Sequence, residues 1–386
     1  MPIDYLSEAE SFAGELTALR REFHMEPELG NQEFKTAERI ERYLHECGIK
    51  TKRILETAVV GILEGSSPGP SVALRADMDA LPIQENTGAS FASRSNGVMH
   101  ACGHDIHITA ALGAAKLMSK HRDEISGNLV LLFQPDEEGN GGARRMIEAG
   151  ALNGVSAVFG AHVTPDLPLG HVGVRYGKFY AASHMFKITV TGKSAHGAER
   201  EKGIDALETA AKMVHDILAL PKSMPESGDG VISIGTFHAG TAGNIVADLA
   251  ELTGIIRTLG PEAKVFLTSN LQSVVAGVAK DFGAEAVCDL RESYPGVTND
   301  DDMTRVVQET ACSVLGTDNV HVIDKPTMTT EDFGYFLHEV PGSFYHIGAG
   351  CSLPLHNAGF LPDDRAAVIG AAVHAAVITK TMEILR

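Results

Sequence analysis

The segment Asn128-Leu129-Val130-Leu131-Leu132-Phe133, followed by Gln134-Pro135-Asp136-Glu137-Glu138-Gly139, decides the fold class of this chain. Its first half is a continuous apolar run, which is typical of a strand buried on both faces of a sheet. Folds that alternate strands and helices bind their ligands just beyond the carboxyl ends of such strands. The adjacent acids Glu137 and Glu138 are therefore candidates for a functional site. The alternative is that they form a solvated acidic surface.

The residues around this segment predict alternating strands and helices. We expect strands over residues 59–63, 71–76 and 157–160, and helices over residues 106–120 and 143–149. The strand predictions rest on apolar runs between turn-rich stretches, and the helix over 106–120 is rich in alanine. This alternation predicts an α/β fold, in which helices flank both faces of a sheet.

The pattern changes near Tyr180, where a smaller α+β domain is predicted. Residues 185–191 alternate between apolar and polar side chains, as in an antiparallel strand with one exposed face. A helix, two strands and a second helix are then expected over residues 205–220, 231–237, 249–258 and 265–281. This order predicts a two-layer sandwich at residues 179–292, inserted into a discontinuous catalytic domain of residues 1–178 and 293–386.

Charge and composition limit the classes of protein to which the chain could belong. Its formal net charge of −18 argues against binding to a nucleic-acid backbone. Five cysteines without regular spacing do not indicate a disulfide framework, and the acidic amino terminus lacks the features of a signal peptide. The apolar segment 366–379 is too short to span a bilayer and predicts a buried helix. We therefore expect a cytoplasmic protein with no membrane or nucleic-acid partner.

Cys102 and His104, within Met99-His100-Ala101-Cys102-Gly103-His104-Asp105, are the first candidate metal ligands. They are one residue apart, so an extended or turning backbone directs both side chains the same way. A thiolate and an imidazole both bind transition metals near neutral pH. The alternative is a buried structural cysteine and a histidine that precedes the next helix.

His162 and His356 extend the set of candidate ligands. His162 follows the predicted strand at 157–160, whereas His356 lies far away in sequence, and each alone would more often be structural or exposed. Together with Cys102, His104 and Glu138 they offer a mix of donors that suits Zn(II), Mn(II) or Co(II). Five protein ligands exceed the number in a closed tetrahedral site, which indicates two divalent ions.

Further acids follow the predicted strand at 71–76, in Arg75-Ala76-Asp77-Met78-Asp79-Ala80-Leu81-Pro82. Carboxylates in such a position orient a metal-bound histidine or a general base. The alternative is an acidic turn that caps the following loop.

Six segments, in order along the chain, resemble the aminoacylase, hippurate hydrolase and indole-acetyl-amino-acid hydrolase branch of the di-zinc peptidase superfamily. They are Phe23-His24-Met25-Glu26-Pro27-Glu28-Leu29, Arg75-Ala76-Asp77-Met78-Asp79-Ala80-Leu81-Pro82, His100-Ala101-Cys102-Gly103-His104-Asp105, Gln134-Pro135-Asp136-Glu137-Glu138-Gly139, Gly160-Ala161-His162-Val163 and Glu331-Asp332-Phe333. The resemblance implies the zinc-peptidase-like fold and two bound divalent ions, Mn or Zn, with Co or Ni as further options.

The resemblance also implies a role for each candidate residue of the catalytic domain. Glu137 would be the general base, and Asp79 the acid that orients the site. The metal ligands would be Cys102, His104, Glu138, His162 and His356. Wider relatives have a metal-binding histidine at the position of Asp77, so we expect that Asp77 does not bind metal here.

For the inserted domain, the resemblance implies a lid that also forms a homodimer. His196 would reach the active site of the partner subunit and stabilise the developing oxyanion. Asn244 and Arg257 would be the contacts to the carboxylate and the carbonyl of the substrate. An arginine suits a carboxylate because it donates two parallel hydrogen bonds. The alternatives are a surface histidine, a polar loop residue and a charge at a strand edge.

Three departures from close relatives concern the substrate rather than the metal ligands. Asp136 precedes the paired glutamates, where auxin-conjugate hydrolases usually have a small residue. No Pro-His pair follows His196, and Asn357 follows His356 where relatives more often have serine.

The predicted activity is metal-dependent hydrolysis of the amide bond of an N-acyl amino acid, with an acetyl, benzoyl or similar acyl group. The products would be a carboxylic acid and a free amino acid. One alternative is a dipeptidase or carboxypeptidase of the same fold. Two others are catalysis by Cys102 as a nucleophile and a non-catalytic relative kept for binding.

Overall fold

The chain divides into two units in a computed structural model that describes residues 3–225 and 229–386. The large unit comprises Met1–Gly177, Thr298–Lys325 and Asp332–Arg386. The small unit comprises Lys178–Val297 and Pro326–Glu331.

The described residues form helices and strands in alternation through most of the chain. The helices are α1 Tyr5–Ser11, α2 Ala13–Met25, α3 Phe34–Glu46, α4 His104–Lys120, α5 Gly142–Glu148, α6 Ala206–Ala219, α7 Pro261–Phe282, α8 Asp301–Leu315, α9 Gly334–Glu339 and α10 Arg365–Ile384. The strands are β1 Lys50–Ile54, β2 Ala58–Glu64, β3 Ser67–Asp77, β4 Ser126–Gln134, β5 Val155–Thr164, β6 Val172–Val174, β7 Gly177–Tyr180, β8 Ala182–Thr191, β9 Gly230–Ala239, β10 Leu249–Thr258, β11 Glu285–Tyr294, β12 Val297–Asn299, β13 Val320–Val322 and β14 Gly342–Gly348.

The large unit is built on an eight-stranded mixed sheet with the strand order β1-β2-β4-β3-β5-β14-β6-β13. The central strands β4, β3, β5 and β14 run parallel, whereas β1 and β2 are antiparallel to their neighbours. Residues 129–134 of β4 are all buried, as the apolar run predicts. Helices and sheet share one apolar core, so the predicted α/β class, a sheet flanked by helices, is confirmed.

Helix α10 fills the core beside α4. Gly113 of α4 permits the close approach, because a Cβ atom there would lie 2.6 Å from the Cβ of Ala371. Among the described residues, α10 has the length and hydropathy of a membrane-crossing helix, but 78% of its apolar window is buried. This burial is the property of a core helix, as expected for the segment 366–379.

The small unit is an antiparallel sheet of order β11-β8-β10-β9 with α6 and α7 packed on one face. The other face is exposed, with Met185 58% and Val287 68% accessible. The predicted order omits β11, since Glu285–Tyr294 is largely polar and alternates weakly. Pairing with β8 from Glu285 to Tyr294 makes this segment a strand.

Candidate active site

The carboxyl ends of three parallel strands bring the candidate residues of the large unit together. Asp77 ends β3 and pairs in register with Gln134, which ends β4. Glu137 and Glu138 follow in the turn between β4 and α5, and His162 lies near the end of β5. The location beyond buried parallel strands agrees with the position that the sequence predicts.

Cys102 and His104 are placed by a turn that requires glycine. Gly103 between them has a φ of +87°, and a Cβ there would lie 2.4 Å from Val163 Cγ2. The backbone then enters α4 at His104. The loop bearing His356 is pinned to the same segment, because His356 N donates to Ala101 O at 2.8 Å.

The five predicted metal ligands lie together around Cys102. Its Sγ atom is 3.3 Å from Nε2 of both His162 and His356. His356 Nε2 is in turn 3.0 Å from Glu138 Oε1. Three groups whose ligand atoms all lie within 4.8 Å of one another consist of the predicted ligands and Glu137: Cys102, His104 and His162; Cys102, Glu138 and His356; and His104, Glu137 and Glu138.

The tautomer of His162 suits a metal ligand. Its Nδ1–H donates to Val163 O at 2.7 Å, so in the neutral ring Nε2 carries a lone pair on the side of Cys102. Burial, and then the neighbouring His107, hold the pKa of His162 well below its usual value. A neutral imidazole with a fixed tautomer is the form that coordinates metal.

The charges and unpaired atoms of the cluster fit bound cations. His104 is fully buried and its Nε2 makes no hydrogen bond among the described residues. Burial lowers the pKa of His104, but the charges of Asp77, Asp79 and Glu138 outweigh it and raise the value to about 10. Burial, together with Glu138 and Glu137, raises the pKa of the Cys102 thiol well above its ordinary value. Divalent ions would supply the positive charge that this excess of acids needs.

Asp79 contacts two of these residues. Its Oδ1 lies 3.3 Å from His104 Nδ1, and its Oδ2 accepts a hydrogen bond from Glu138 N at 3.0 Å. Asp79 thus joins the end of β3 to the turn that carries the paired glutamates.

Asp77 is engaged by protein groups, and its ligand atom also lies within 4.8 Å of those of His104 and His107. Arg75 donates to one oxygen of Asp77 and His107 Nδ1 donates to the other at 2.6 Å. His107 Nε2 accepts from Val163 N at 2.9 Å, so His107 supports the strand segment of His162. Sequence reasoning missed His107, although its spacing of three residues from His104 on α4 places both on one helix face.

A second buried carboxylate, Asp332, holds the two ends of the turn that carries Glu137. It accepts hydrogen bonds from Arg75 Nη2 at 2.9 Å, Gln134 Nε2 at 2.7 Å and Ala143 N at 3.1 Å. Gln134 precedes the turn and Ala143 follows it, which accounts for Asp332 in one of the six recognised segments.

A third buried network fixes the start of α4 from the side of α2. Asp105 accepts from Arg20 Nε at 2.9 Å and from His24 Nδ1 at 2.6 Å. His24 Nε2 lies 3.3 Å from Glu85, and Arg20 also donates to Asp364 at 2.9 Å. Asp105 is adjacent to His104, so these residues, which sequence reasoning did not assign, set the position of that imidazole.

Within the small unit, His196 and Asn244 are neighbours. His196 pairs with Ile245, and Gly197 N donates to Asn244 O at 2.8 Å. His196 Nδ1 accepts from Ala198 N at 3.1 Å, so the neutral ring carries its proton on Nε2. This tautomer leaves Nε2–H as a hydrogen-bond donor.

Arg257 lies at the other end of the small unit's sheet. The segments with His196 and Asn244 leave the sheet near Leu249, the first residue of β10. Arg257 is the penultimate residue of β10, about 25 Å further along at ~3.3 Å per residue. The structure therefore does not bring Arg257 together with the other two predicted substrate contacts.

The fold and the site together define a metal-dependent hydrolase, because buried thiol, imidazole and carboxylate groups converge beyond parallel strands. The chain belongs to peptidase family M20/M25/M40, whose family model matches residues 73–380. The resemblance that the six segments indicated is thereby confirmed at the level of the family.

Relatives with different activities are similar to the chain over almost its whole length. N-acetylcysteine deacetylase of Bacillus subtilis is 35% identical over 97% of this chain and 99% of its own. Thermostable carboxypeptidase 1 of Saccharolobus solfataricus is 38% identical over 94% of each chain. The crystal structure of the YXEP protein of Bacillus subtilis, described as a dinuclear metal-binding peptidase, is 34% identical with a TM-score of 0.87, covering 97% of this chain and 99% of that one.

Proposed function

We propose that the protein hydrolyses the amide bond of N-acyl amino acids and releases a carboxylic acid and a free amino acid. The observation that carries this proposal is the cluster of His104, Glu137 and Glu138, whose polar atoms lie within 4.8 Å of one another. It pairs a potential base with potential metal ligands. The similarity to N-acetylcysteine deacetylase supports an N-acyl amino acid as substrate.

Two divalent ions, Mn or Zn with Co or Ni as options, would be held by five residues. These are Cys102, His104, Glu138, His162 and His356. When bound, such ions polarise the scissile carbonyl and lower the pKa of water towards neutrality. The dinuclear site described for the YXEP protein supports this number of ions.

Glu137 acts as the general base and then as the general acid. It takes a proton from the attacking water as the new C–O bond forms, and it returns that proton to the leaving amine as the C–N bond breaks. Glu137 is 7% exposed, and the flanking residue Glu138 is anchored through its backbone N–H to Asp79.

His196, Asn244 and Arg257 bind the substrate. The Nε2–H of His196 donates to the oxyanion that develops on the carbonyl. Asn244 and Arg257 hold the free carboxylate of the substrate. Because about 25 Å of strand separates Arg257 from the Leu249 end of β10, one small substrate cannot meet all three from one chain. This separation supports a homodimer, formed through the small unit, in which His196 acts on the partner subunit's site.

The decisive experiment couples metal analysis of the purified protein to a Glu137→Gln variant. We expect wild-type protein to hydrolyse N-acetyl or N-benzoyl amino acids. The variant should lose about 10²- to 10⁴-fold in kcat because the proton carrier is gone. Its metal content should equal that of wild type, since Glu137 is not a proposed ligand. Substantial activity in Glu137→Gln would rule out the role of base.

The second candidate function is hydrolysis of dipeptides, which the similarity to thermostable carboxypeptidase 1 favours. The two activities are separated by comparing kcat/KM for N-acyl amino acids with that for unblocked dipeptides. A cytoplasmic location remains a prediction, and the five cysteines, all free thiols in the structure, are compatible with it.

A further inference from the structure

Asp136, the residue before the proposed base, has an unusual backbone conformation. Its φ is +57°, and it is 4% exposed. Residues other than glycine rarely adopt this left-handed region, although aspartate and asparagine tolerate it better than most. Strain of this kind persists only where the surroundings enforce it, and it is concentrated at functional sites.

Hydrogen bonds to the carboxylate, the backbone N–H and the carbonyl of Asp136 enforce this backbone conformation. Its carboxylate accepts hydrogen bonds from Asn31 Nδ2 at 2.7 Å and from Arg145 Nη2 at 3.1 Å. Its backbone N–H donates to Glu33 Oε1 at 3.0 Å, and its carbonyl accepts from Gly141 N at 3.0 Å.

Two glycines shape the space for this carboxylate. A Cβ atom at Gly30 would lie 2.4 Å from Asp136 Oδ1, and one at Gly139 would lie 2.2 Å from the same oxygen. Asn31, beside Gly30, also has a positive φ, of +63°. The loop between α2 and α3 is therefore built closely around a single side chain of the β4–α5 turn.

The same loop also supports the other side of the site. Ala80 N donates to Glu28 O at 2.8 Å, next to Asp79, and Asp79 accepts from Glu138 N. Glu137 thus lies between two anchored residues: Asp136, held by the loop 28–33, and Glu138, held by Asp79.

From this geometry we propose that Asp136 is a positioning residue for Glu137. Clamped by Asn31, Arg145 and Glu33, it fixes the left-handed peptide that directs the Glu137 carboxylate towards His104 and Glu138. The inference rests on the proposed role of Glu137 as base. Auxin-conjugate hydrolases usually have a small residue at the position of Asp136. We infer that this difference concerns the geometry of proton transfer rather than the choice of substrate.

The test is the variant Asp136→Gly, because glycine adopts a positive φ without strain and only the carboxylate is lost. We expect kcat to fall by roughly 10- to 100-fold, since small misplacements of a catalytic group cost that much. KM and metal content should stay at wild-type values, whereas the thermal midpoint should fall by a few degrees because Asn31 and Arg145 lose an acceptor. Asp136→Asn should recover most of the activity, because asparagine tolerates the same φ and keeps an oxygen for Asn31.

Three results would overturn the inference. A kcat within twofold of wild type would show that the clamp does not position the base. A parallel loss of metal, or unfolding at the assay temperature, would show a structural role only. Failure of Asp136→Asn to recover activity would exclude positioning through the Asn31 hydrogen bond.

A crystal structure of the Asp136→Gly protein separates failure of this inference from failure of the proposed function. If wild type hydrolyses neither N-acyl amino acids nor dipeptides, the proposed function fails. The inference then stands if the Glu137 carboxylate has left the 4.8 Å group with His104 and Glu138, and it fails if the carboxylate is unmoved.

Discussion

Cys102 is a residue whose chemistry depends on a nearby cation. It is 6% exposed and lies 3.3 Å from two imidazole nitrogens. Burial and the adjacent Glu138 and Glu137 hold its thiol pKa well above the ordinary value, so the free thiol stays protonated at neutral pH. Such a thiol is a poor nucleophile, which argues against catalysis by Cys102 without metal.

We therefore expect Cys102→Ser to lose bound metal and activity together. A hydroxyl is a far weaker ligand for Zn(II) or Mn(II) than a thiolate, and Cys102 belongs to two candidate ligand groups, one with His104 and His162 and one with Glu138 and His356. Metal per subunit is measured by plasma mass spectrometry beside the hydrolysis rate. Cys351→Ser, at a half-buried cysteine outside those groups, is the matched control and should keep both.

Chelation distinguishes the same two mechanisms in the wild-type protein. Exhaustive removal of divalent ions should abolish hydrolysis, and Mn(II), Zn(II) or Co(II) should restore it. Activity that survives chelation would point to the thiol mechanism instead.

At the scale of elements, the loop between α2 and α3 is tied to the sheet by a buried acid. Glu33 accepts from Thr57 Oγ1 at 2.9 Å, just before β2, and from Asp136 N in the β4–α5 turn. It is fully buried, and this burial raises its pKa from 4.5 to about 7, against the hydrogen bonds that lower it.

This raised pKa predicts the direction of a pH dependence. Between about pH 4.5 and 7 the folded protein binds a proton on Glu33 that the unfolded chain has released. The free energy of unfolding therefore falls as pH rises through this window, by up to roughly 3 kcal/mol from this group, and levels off above it. Urea unfolding of wild type and Glu33→Gln, at fixed metal concentration, should show a smaller fall in the variant.

The exposed Glu56 provides the control for that comparison, since Glu56→Gln should leave the pH dependence of unfolding unchanged. If the free energy of unfolding fell equally steeply with pH in Glu33→Gln and in wild type, the pH dependence would not come from Glu33.

The elements with strong local patterns could be predicted from the sequence. The apolar run of β4 and the alternation of residues 185–191 in β8 predict strands close to the observed bounds, and the alanine-rich segment predicts α4. What local patterns do not encode is pairing: β2 and β3 follow each other in sequence, but β4 lies between them in the sheet. β11 was missed for the same reason, since its strand conformation depends on β8.

The residues of the site also differ in whether local sequence is enough to predict them. Thiol, imidazole and carboxylate groups in short motifs signal metal chemistry, so the five candidate ligands and Glu137 could be proposed from residue types. The supporting residues Arg20, His107 and Glu33 are ordinary polar residues in sequence. They become recognisable only when folding buries them and brings distant partners, such as Asp105 and Asp136, within hydrogen-bond distance.

At the scale of the whole molecule, the separation along β10 makes a prediction about subunits. His196 and Asn244 lie beyond one end of this strand and Arg257 lies at the other. If one substrate meets all three, then two chains contribute, with Arg257 from the chain that supplies the base and His196 from its partner. Glu137→Gln and His196→Ala homodimers should each be inactive under this arrangement.

Mixing these two variants should restore activity, because each hybrid dimer has one site with an intact Glu137 and a partner's intact His196. Random exchange of subunits at equal amounts predicts about one quarter of the wild-type rate. Adding Arg257→Met to the Glu137→Gln chain should leave the rescue intact, whereas adding it to the His196→Ala chain should abolish it. Subunit exchange is verified by differently tagged chains. Subunit exchange without rescue would place His196 in its own subunit's site. If Arg257→Met abolished the rescue only when added to the Glu137→Gln chain, Arg257 would be assigned to the partner subunit.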